Sequence, residues 1–188
     1  RARRPAPTMT PTAELSRRLT PRALLALIVA AVVLAMGGGL YFQHVLQLEP
    51  CPLCVLQRMA FVGVGLFAAL GLLAGGAGGQ LAAALLATAC AATGAAIAGW
   101  HSWILAYPPE SMSCGRPFEW FHDDFPLAVW LPKLFAGHGD CLAVDWTFLG
   151  LAIPHMSLIA FVLLIGATGL VVARTWPRRR AARADRRA

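Results

Sequence analysis

Charged residues are scarce in this sequence, since Asp, Glu, Lys and Arg make up only 13% of its 188 residues. An average soluble domain carries roughly 25% charged residues, so the composition excludes an ordinary soluble globular protein. Hydrophobic residues make up 58% of the chain, and the mean hydropathy is +0.63. This composition is typical of an integral membrane protein.

Four long apolar runs carry most of the hydrophobic residues, at approximately 23–45, 55–74, 81–104 and 153–173. Each run has about the 20 residues that a helix needs to cross ~30 Å of hydrocarbon. We therefore predict an all-α membrane protein, in which residues 1–188 form a single membrane domain built on a four-transmembrane-helix bundle. The first run could instead be a signal peptide with a poor cleavage site at 35–37, but its continuation through Phe42 favours a retained helix.

Basic residues gather at the two ends of the chain, where six precede the first run and seven follow the last. The positive-inside rule then predicts that the termini, 1–22 and 174–188, are cytoplasmic. Because these tails adjoin membrane ends, we interpret them as an orientation signal rather than as a nucleic-acid-binding segment.

Two loops, approximately 46–54 and 105–152, are left on the outer side. In the second, the apolar residues 125–135 are interrupted by Pro126 and Pro132, are too short to span the membrane, and are expected to lie on its surface.

Cysteine is also infrequent, with five residues in all. Cys51, Cys54, Cys114 and Cys141 fall on the predicted outer side, whereas Cys90 lies within the third run among alanines and is interpreted as a packing residue. An even set of thiols in an oxidising compartment indicates disulfides. Three pairings are open, and proximity along the chain favours Cys51 with Cys54 and Cys114 with Cys141.

The Cys51-x-x-Cys54 spacing has several interpretations, and what is missing around it excludes one of them. Haem attachment requires a histidine directly after the second cysteine, and Val55 stands there. A zinc site would need two further ligands; Cys114 and Cys141 remain candidates, but the chain has no second Cys-x-x-Cys. A redox-active pair is the favoured interpretation.

Pro52 suits the first turn of a helix, which would place Cys54 at the amino terminus of the second span. There the free N–H groups and the helix dipole favour a thiolate. Arg58 follows four residues later on the same helix face. A cation at that depth usually marks a functional path, although it could instead snorkel to the lipid headgroups.

His101 stands at the outer end of the third run, between Trp100 and Trp103. It is a candidate contact for a quinone, or an interfacial anchor within an aromatic belt.

The bond between Cys114 and Cys141 also has two interpretations. It is either a structural disulfide or an exposed bond in a mobile loop that a partner's thiolate can attack.

Several motifs, taken in their order along four apolar runs, resemble the disulfide bond formation protein B (DsbB) family, the quinone-linked thiol oxidases of bacterial inner membranes. The quoted stretches are "FQHV" before the first cysteine pair, "PCPLCVLQR" around that pair, "GDC" at Cys141 and "WTFLGL" before the fourth run. Two positions depart from a member of the family. Gln57 stands in place of an acidic residue, and Ile153 stands in place of a methionine.

The resemblance implies an electron path and a location in the inner membrane with both outer loops in the periplasm. A reduced periplasmic DsbA-like thiol oxidase would attack the Cys114–Cys141 disulfide at Cys114, and the loop dithiol would then be reoxidised by Cys51–Cys54. Cys54 would pass the electrons to ubiquinone or menaquinone. By the same resemblance, the residues near the quinone are Arg58, His101, Ile97 and Ile153. Two alternatives stay open: a membrane thiol reductase of the vitamin K epoxide reductase type, and a non-enzymatic scaffold held by structural disulfides.

Overall fold

The computed structural model describes residues 20–108, 139–144 and 146–185, and the side chains of residues 179 and 181–185 are outside that description. Within these ranges the chain forms four long helices and one small hairpin. The helices are α1 (Pro21–His44), α2 (Pro52–Leu73), α3 (Ala77–Ala106) and α4 (Ile153–Asp185). All four are long and apolar enough to cross a membrane, which confirms the predicted fold class.

Local signals set the beginnings of the first two helices. Thr20 caps α1 by accepting a hydrogen bond from the Ala23 backbone N–H at 3.1 Å, and Pro21 occupies the first helical position. Cys51 caps α2 in the same way, with Pro52 next to it. Proline is suited to this position because its missing N–H would have no partner in the helix. Cys54, which we expected in the first outer loop or at the start of the span, therefore lies in the first turn of α2.

The end of the fourth helix differs from its predicted bound. The apolar run stops near residue 173, but α4 continues to Asp185, and its candidate membrane span extends to Arg178. Alanine and arginine are both strong helix formers, so the helix continues through the basic segment after the hydrophobic segment has ended. The hydropathy pattern therefore indicated the membrane crossing but not the length of the helix.

α3 packs mainly against α2 and α4, while α1 packs against α2 and, to a smaller extent, α4. At the centre, the rings of Phe61 and Phe161 stack with centroids 4.0 Å apart. A Cβ added to Gly94 would overlap the Phe161 ring, so α3 and α4 approach closely because position 94 has no side chain. The hydroxyls of Thr88 and Thr168 are hydrogen-bonded across the same pair of helices at 2.9 Å.

A two-stranded antiparallel hairpin, which the all-α prediction did not include, leads into α4. Its strands are β1 (Thr147–Phe148) and β2 (Leu151–Ala152). The turn residues Leu149 and Gly150 both have positive φ, +52° and +80°, as a two-residue hairpin turn requires. The predicted surface segment at 125–135 lies outside the described residues.

Candidate redox site

The first turn of α2 brings the Cys51 and Cys54 side chains together. Their Sγ atoms are 2.7 Å apart, and the Cys54 backbone N–H donates to Cys51 Sγ at 3.3 Å. Both residues are free thiols, and a disulfide bond would be 2.03–2.05 Å long. The structure therefore holds the reduced, dithiol form of the pair, and the predicted Cys51–Cys54 disulfide is its oxidised form.

The two thiols are in different surroundings. Cys51 is only 3% exposed. The hydrogen bond with Cys54, followed by burial, raises the pKa of the Cys51 thiol well above its ordinary value. Cys54 is half-buried and belongs to the amino-terminal turn of α2, where the helix dipole favours a negative charge. Cys51 is thus the thiol that keeps its proton, and Cys54 is the sulfur suited to react as a thiolate.

His101 reaches the cysteine pair from α3 and is only 2% exposed. Its Nε2 lies 3.0 Å from the Cys141 carbonyl oxygen, and a carbonyl can only accept, so Nε2 carries a proton. The same nitrogen is 4.0 Å from Cys51 Sγ. The flanking Trp100 and Trp103 are more than half exposed, at 52% and 59%. The ring of His101 therefore points into the protein, which excludes the interfacial-anchor interpretation.

Gln57 is a site residue that our sequence reasoning noted only as a departure from the family. Its side chain is 3% exposed, and its Nε2 is 3.3 Å from His101 Nδ1. With the imidazole proton on Nε2, Nδ1 accepts this hydrogen bond from the Gln57 amide. No local signal reveals the contact, since the two residues are 44 positions apart on different helices. The contact orients the His101 ring.

Arg58 turns toward α1. Its Nη1 donates to Gln43 Oε1 at 2.6 Å, and its Nη2 donates to the Gly39 carbonyl oxygen at 3.2 Å. The guanidinium is half-buried and is bonded to groups of the protein. These bonds favour a role inside the bundle over snorkelling to the headgroups. Gln43, within the "FQHV" motif, was not itself predicted as a site residue.

A cavity of about 430 Å³ adjoins the cysteine pair. Most of its lining is apolar, and side chains from α1 and from the start of α4 contribute to it. Among the predicted site residues, it is lined by Cys51, Cys54, Arg58, His101 and Ile153. Ile97 is half-buried one turn before His101 and does not line this cavity. The structure thus brings together predicted residues from α2, α3 and α4, and Ile97 is not among them.

The segment around Cys141 lies against the loop before α2. The Gly139 backbone N–H donates to the Pro50 carbonyl oxygen at 3.2 Å. A Cβ at position 139 would overlap the Glu49 carbonyl oxygen, so this approach requires glycine. Cys141 is 1% exposed, packs in one cluster with Cys51 and Ile104, and takes part in a disulfide bond. The prediction that Cys114 is its partner lies outside the described residues.

Cys90 does not belong to the site. It is a half-buried free thiol within α3. A Cβ added to Gly63 would lie 2.9 Å from its sulfur, so the thiol fills the space beside a glycine of α2. This contact agrees with the packing role that we predicted for it.

The fold and the site define a multi-pass membrane protein with a cysteine pair and an adjoining cavity at one end of a four-helix bundle. The family model described as "Disulfide bond formation protein DsbB" matches residues 21–171. The chain therefore belongs to the DsbB family, which assigns it to disulfide bond formation in a membrane and confirms the resemblance found in the motifs.

Individual relatives agree with this assignment. The disulfide bond formation protein B of Paracidovorax citrulli is 45% identical over 144 residues, which cover 77% of this chain and 82% of the relative. The protein of the same name from an Acidovorax species is 46% identical, over 76% of this chain and 82% of the relative. That of a Polaromonas species is 42% identical, over 85% and 95% respectively.

Proposed function

We propose that this protein oxidises a periplasmic thioredoxin-like dithiol protein of the DsbA type and passes the electrons to a membrane quinone, ubiquinone or menaquinone. One observation carries the proposal: the Cys51–Cys54 pair lines an apolar cavity on one side and contacts the Cys141 segment on the other. A thiol pair in that position is accessible both to a protein disulfide and to a lipid-soluble acceptor.

The reaction with the partner is a pair of thiol–disulfide exchanges. The partner's two thiolates reduce the Cys114–Cys141 bond, with Cys114 forming the mixed disulfide, and the partner leaves oxidised. The loop dithiol then reduces a Cys51–Cys54 disulfide, which returns the loop to its oxidised form and produces the dithiol that the structure contains. The burial of Cys141 beside Cys51 supports this second exchange, because it needs no long movement of the described part of the loop.

The size and lining of the cavity support the binding of a quinone ring and the first part of its tail. It is mostly apolar, and its volume of about 430 Å³ is within the range of small-molecule sites. The quinone supplies a sink for two electrons and two protons at a potential higher than that of most thiol couples. Arg58 and Ile153 line the same cavity as Cys54, and the cation can stabilise negative charge that develops in this cavity.

His101 and Gln57 act as positioning residues at the Cys51 side. The imidazole bonds both to Gln57 and to the Cys141 carbonyl, so it connects the cysteine pair to the loop segment. A fixed contact of this kind keeps the two disulfide-exchanging groups close without using a flexible connection.

The topology in the proposal has both termini in the cytoplasm and the cysteine pairs on the periplasmic side of a bacterial inner membrane. The excess of basic residues at both ends of the chain supports it. The apolar cavity beside Cys51 and Cys54 favours an enzyme over a scaffold whose cysteines serve only as structural disulfides.

Anaerobic mixing of the purified protein with a reduced DsbA-type partner and quinone tests the proposal. We expect quinol to form in a one-to-one ratio with partner disulfide. Cys54→Ser should stop quinol formation while Cys114 still captures the partner, and Cys90→Ser is the matched control that should leave the rate unchanged. If the electrons flow from quinol to the partner, the protein is a reductase. If quinol never forms and Cys54→Ser has no effect, the scaffold alternative is correct.

A further inference from the structure

Three groups that bind metals converge at the cysteine pair. The ligand atoms of Cys51, Cys54 and His101 all lie within 4.8 Å of one another. The sequence offered Cys114 and Cys141 as further zinc ligands, because a second cysteine pair is the usual signal of a zinc site. The structure supplies a histidine instead, 50 residues after Cys51 and on a different helix.

Two thiolates and one imidazole form a ligand set known in catalytic zinc sites, where the fourth position stays open. Zinc–sulfur bonds of about 2.3 Å at tetrahedral angles place two sulfurs about 3.8 Å apart. The sulfurs here are 2.7 Å apart, so they must separate by roughly 1 Å on binding. Cys51 precedes the first helical residue, so rotation of its side chain would supply this movement at the cost of the bond from the Cys54 N–H.

The surroundings of His101 match those of a metal ligand. A ligating histidine usually bonds its other ring nitrogen to a neighbouring polar group, and here Gln57 is bonded to Nδ1. Metal binding at Nε2 moves the imidazole proton to Nδ1 and breaks the hydrogen bond from Nε2 to the Cys141 carbonyl oxygen. The Gln57 amide then rotates by half a turn and accepts that proton with its oxygen, since an amide carries both a donor and an acceptor.

We propose that the dithiol form of this site binds Zn²⁺, or the similar thiophilic ion Cd²⁺, through Cys51 Sγ, Cys54 Sγ and His101 Nε2. Two thiol protons leave as the ion binds, and no electron is transferred. The fourth position faces the cavity that all three residues line. The disulfide form has no thiolate to offer, so the site binds metal only when reduced. A bound ion holds the pair reduced and stops its exchange with the loop.

The test uses the full-length protein in detergent with Cys90, Cys114 and Cys141 changed to serine, so that only two thiols remain. Co²⁺ reports on geometry through its visible absorption bands, and competition with Zn²⁺ gives the zinc affinity. We expect one ion per reduced protein, a tetrahedral cobalt spectrum with thiolate charge-transfer bands, and no binding after oxidation. Equal binding by the oxidised protein would overturn the proposal.

Variants identify the histidine ligand. His101→Ala should weaken Zn²⁺ binding and change the cobalt spectrum, and His155→Ala is the matched control that should do neither. Gln57→Leu should lower the affinity about 10–100-fold, as removal of an outer partner of a metal ligand does, whereas Gln57→Glu should retain it. Unchanged affinity and spectrum in His101→Ala would show a site of two thiolates only and refute the assignment.

X-ray absorption on the zinc-loaded protein provides a second measurement that does not depend on folding of the variants. A shell of two sulfurs and at least one imidazole nitrogen is expected, and a shell with sulfur and oxygen only would contradict the proposal. Neither measurement uses a quinone or a partner protein. The two proposals are therefore tested independently. Failure of metal binding would not contradict the proposed oxidase reaction, and failure of quinol formation would not contradict the metal site.

Discussion

At the scale of single residues, two cysteines three positions apart have different roles because the helix begins between them. Cys51 precedes the first helical residue and caps the helix, whereas Cys54 lies within its first turn. Both cysteines line the cavity, but Cys51 is buried and its sulfur accepts the Cys54 backbone N–H, whereas Cys54 is half-buried. The motif identified the pair, but the assignment of the buried and the reactive sulfur required the surroundings.

This asymmetry predicts selective alkylation. In the reduced protein, iodoacetamide should modify Cys54 well before Cys51, as measured by peptide mass spectrometry. The raised pKa means that the folded protein keeps the Cys51 proton above the ordinary value of 9.0. Raising the pH from about 7 to about 9 should therefore not increase modification of Cys51. Equal rates at the two cysteines, or a rise at Cys51 over this range, would contradict the assignment.

Arg58 and Gln43 lead to a second prediction at this scale. Arg58→Ala should raise the KM for quinone about tenfold or more, because a hydrogen bond to a charged group contributes about 1.5–3 kcal/mol. Gln43→Ala should raise it less, since Gln43 acts by positioning the guanidinium. Steady-state kinetics measures both, and formation of the mixed disulfide at Cys114 is the control. An unchanged KM in both variants would indicate that Arg58 does not contact the quinone and instead snorkels to the lipid headgroups.

At the scale of secondary-structure elements, the helices pack closely at positions where a side chain is missing. α3 and α4 meet at Gly94, and the loop before α2 meets the Cys141 segment at Gly139. Hydropathy predicted where the four helices cross the membrane, because it depends only on a continuous stretch of sequence. It did not predict the hairpin at 147–152, whose two strands have only two residues each. It also did not predict which glycines lie where two helices or two loops pack against each other.

Gly94→Ala should destabilise the bundle by about 1–3 kcal/mol, the usual cost of overpacking. Gly166→Ala is the matched control in α4, since a Cβ there would meet nothing within 4 Å. Unfolding in detergent, followed by circular dichroism, measures both changes. Equal stabilities for the two variants would show that α3 and α4 are not in close contact at position 94.

Gly139→Ala should separate the Cys141 segment from the loop before α2, because the added methyl overlaps the Glu49 carbonyl. We expect slower reoxidation of the loop dithiol by Cys51–Cys54, with little change in the KM for quinone. Gly75→Ala, where a Cβ meets nothing within 4 Å, is the control. Stopped-flow measurement of a single turnover separates the two steps. A change in quinone KM alone would contradict the position of this segment.

At the scale of the whole molecule, the proposed function requires both cysteine pairs on one side of the membrane, and the proposed topology puts the basic ends on the other. Alkaline phosphatase, which is active only in the periplasm, should be inactive when fused after Ala188 and active when inserted at the Leu149–Gly150 turn. The reason is the excess of arginine at both ends of the chain. A green fluorescent protein fusion at Ala188 is the complementary control, because it should fluoresce. Activity of the phosphatase at Ala188 would invert the proposed topology.

The sequence by itself determined the number of membrane helices, the approximate bounds of their crossings and the family. Hydropathy and short motifs are local properties, and a helix in a bilayer satisfies its own backbone hydrogen bonds. Only the tertiary structure decided which polar side chains meet. Gln57 and His101 are 44 positions apart, and Arg58 and Gln43 are 15 apart. Contacts of this kind depend on how whole helices pack. The family resemblance therefore placed His101 and Arg58 near the quinone, but it did not reveal the hydrogen bonds that hold them in place.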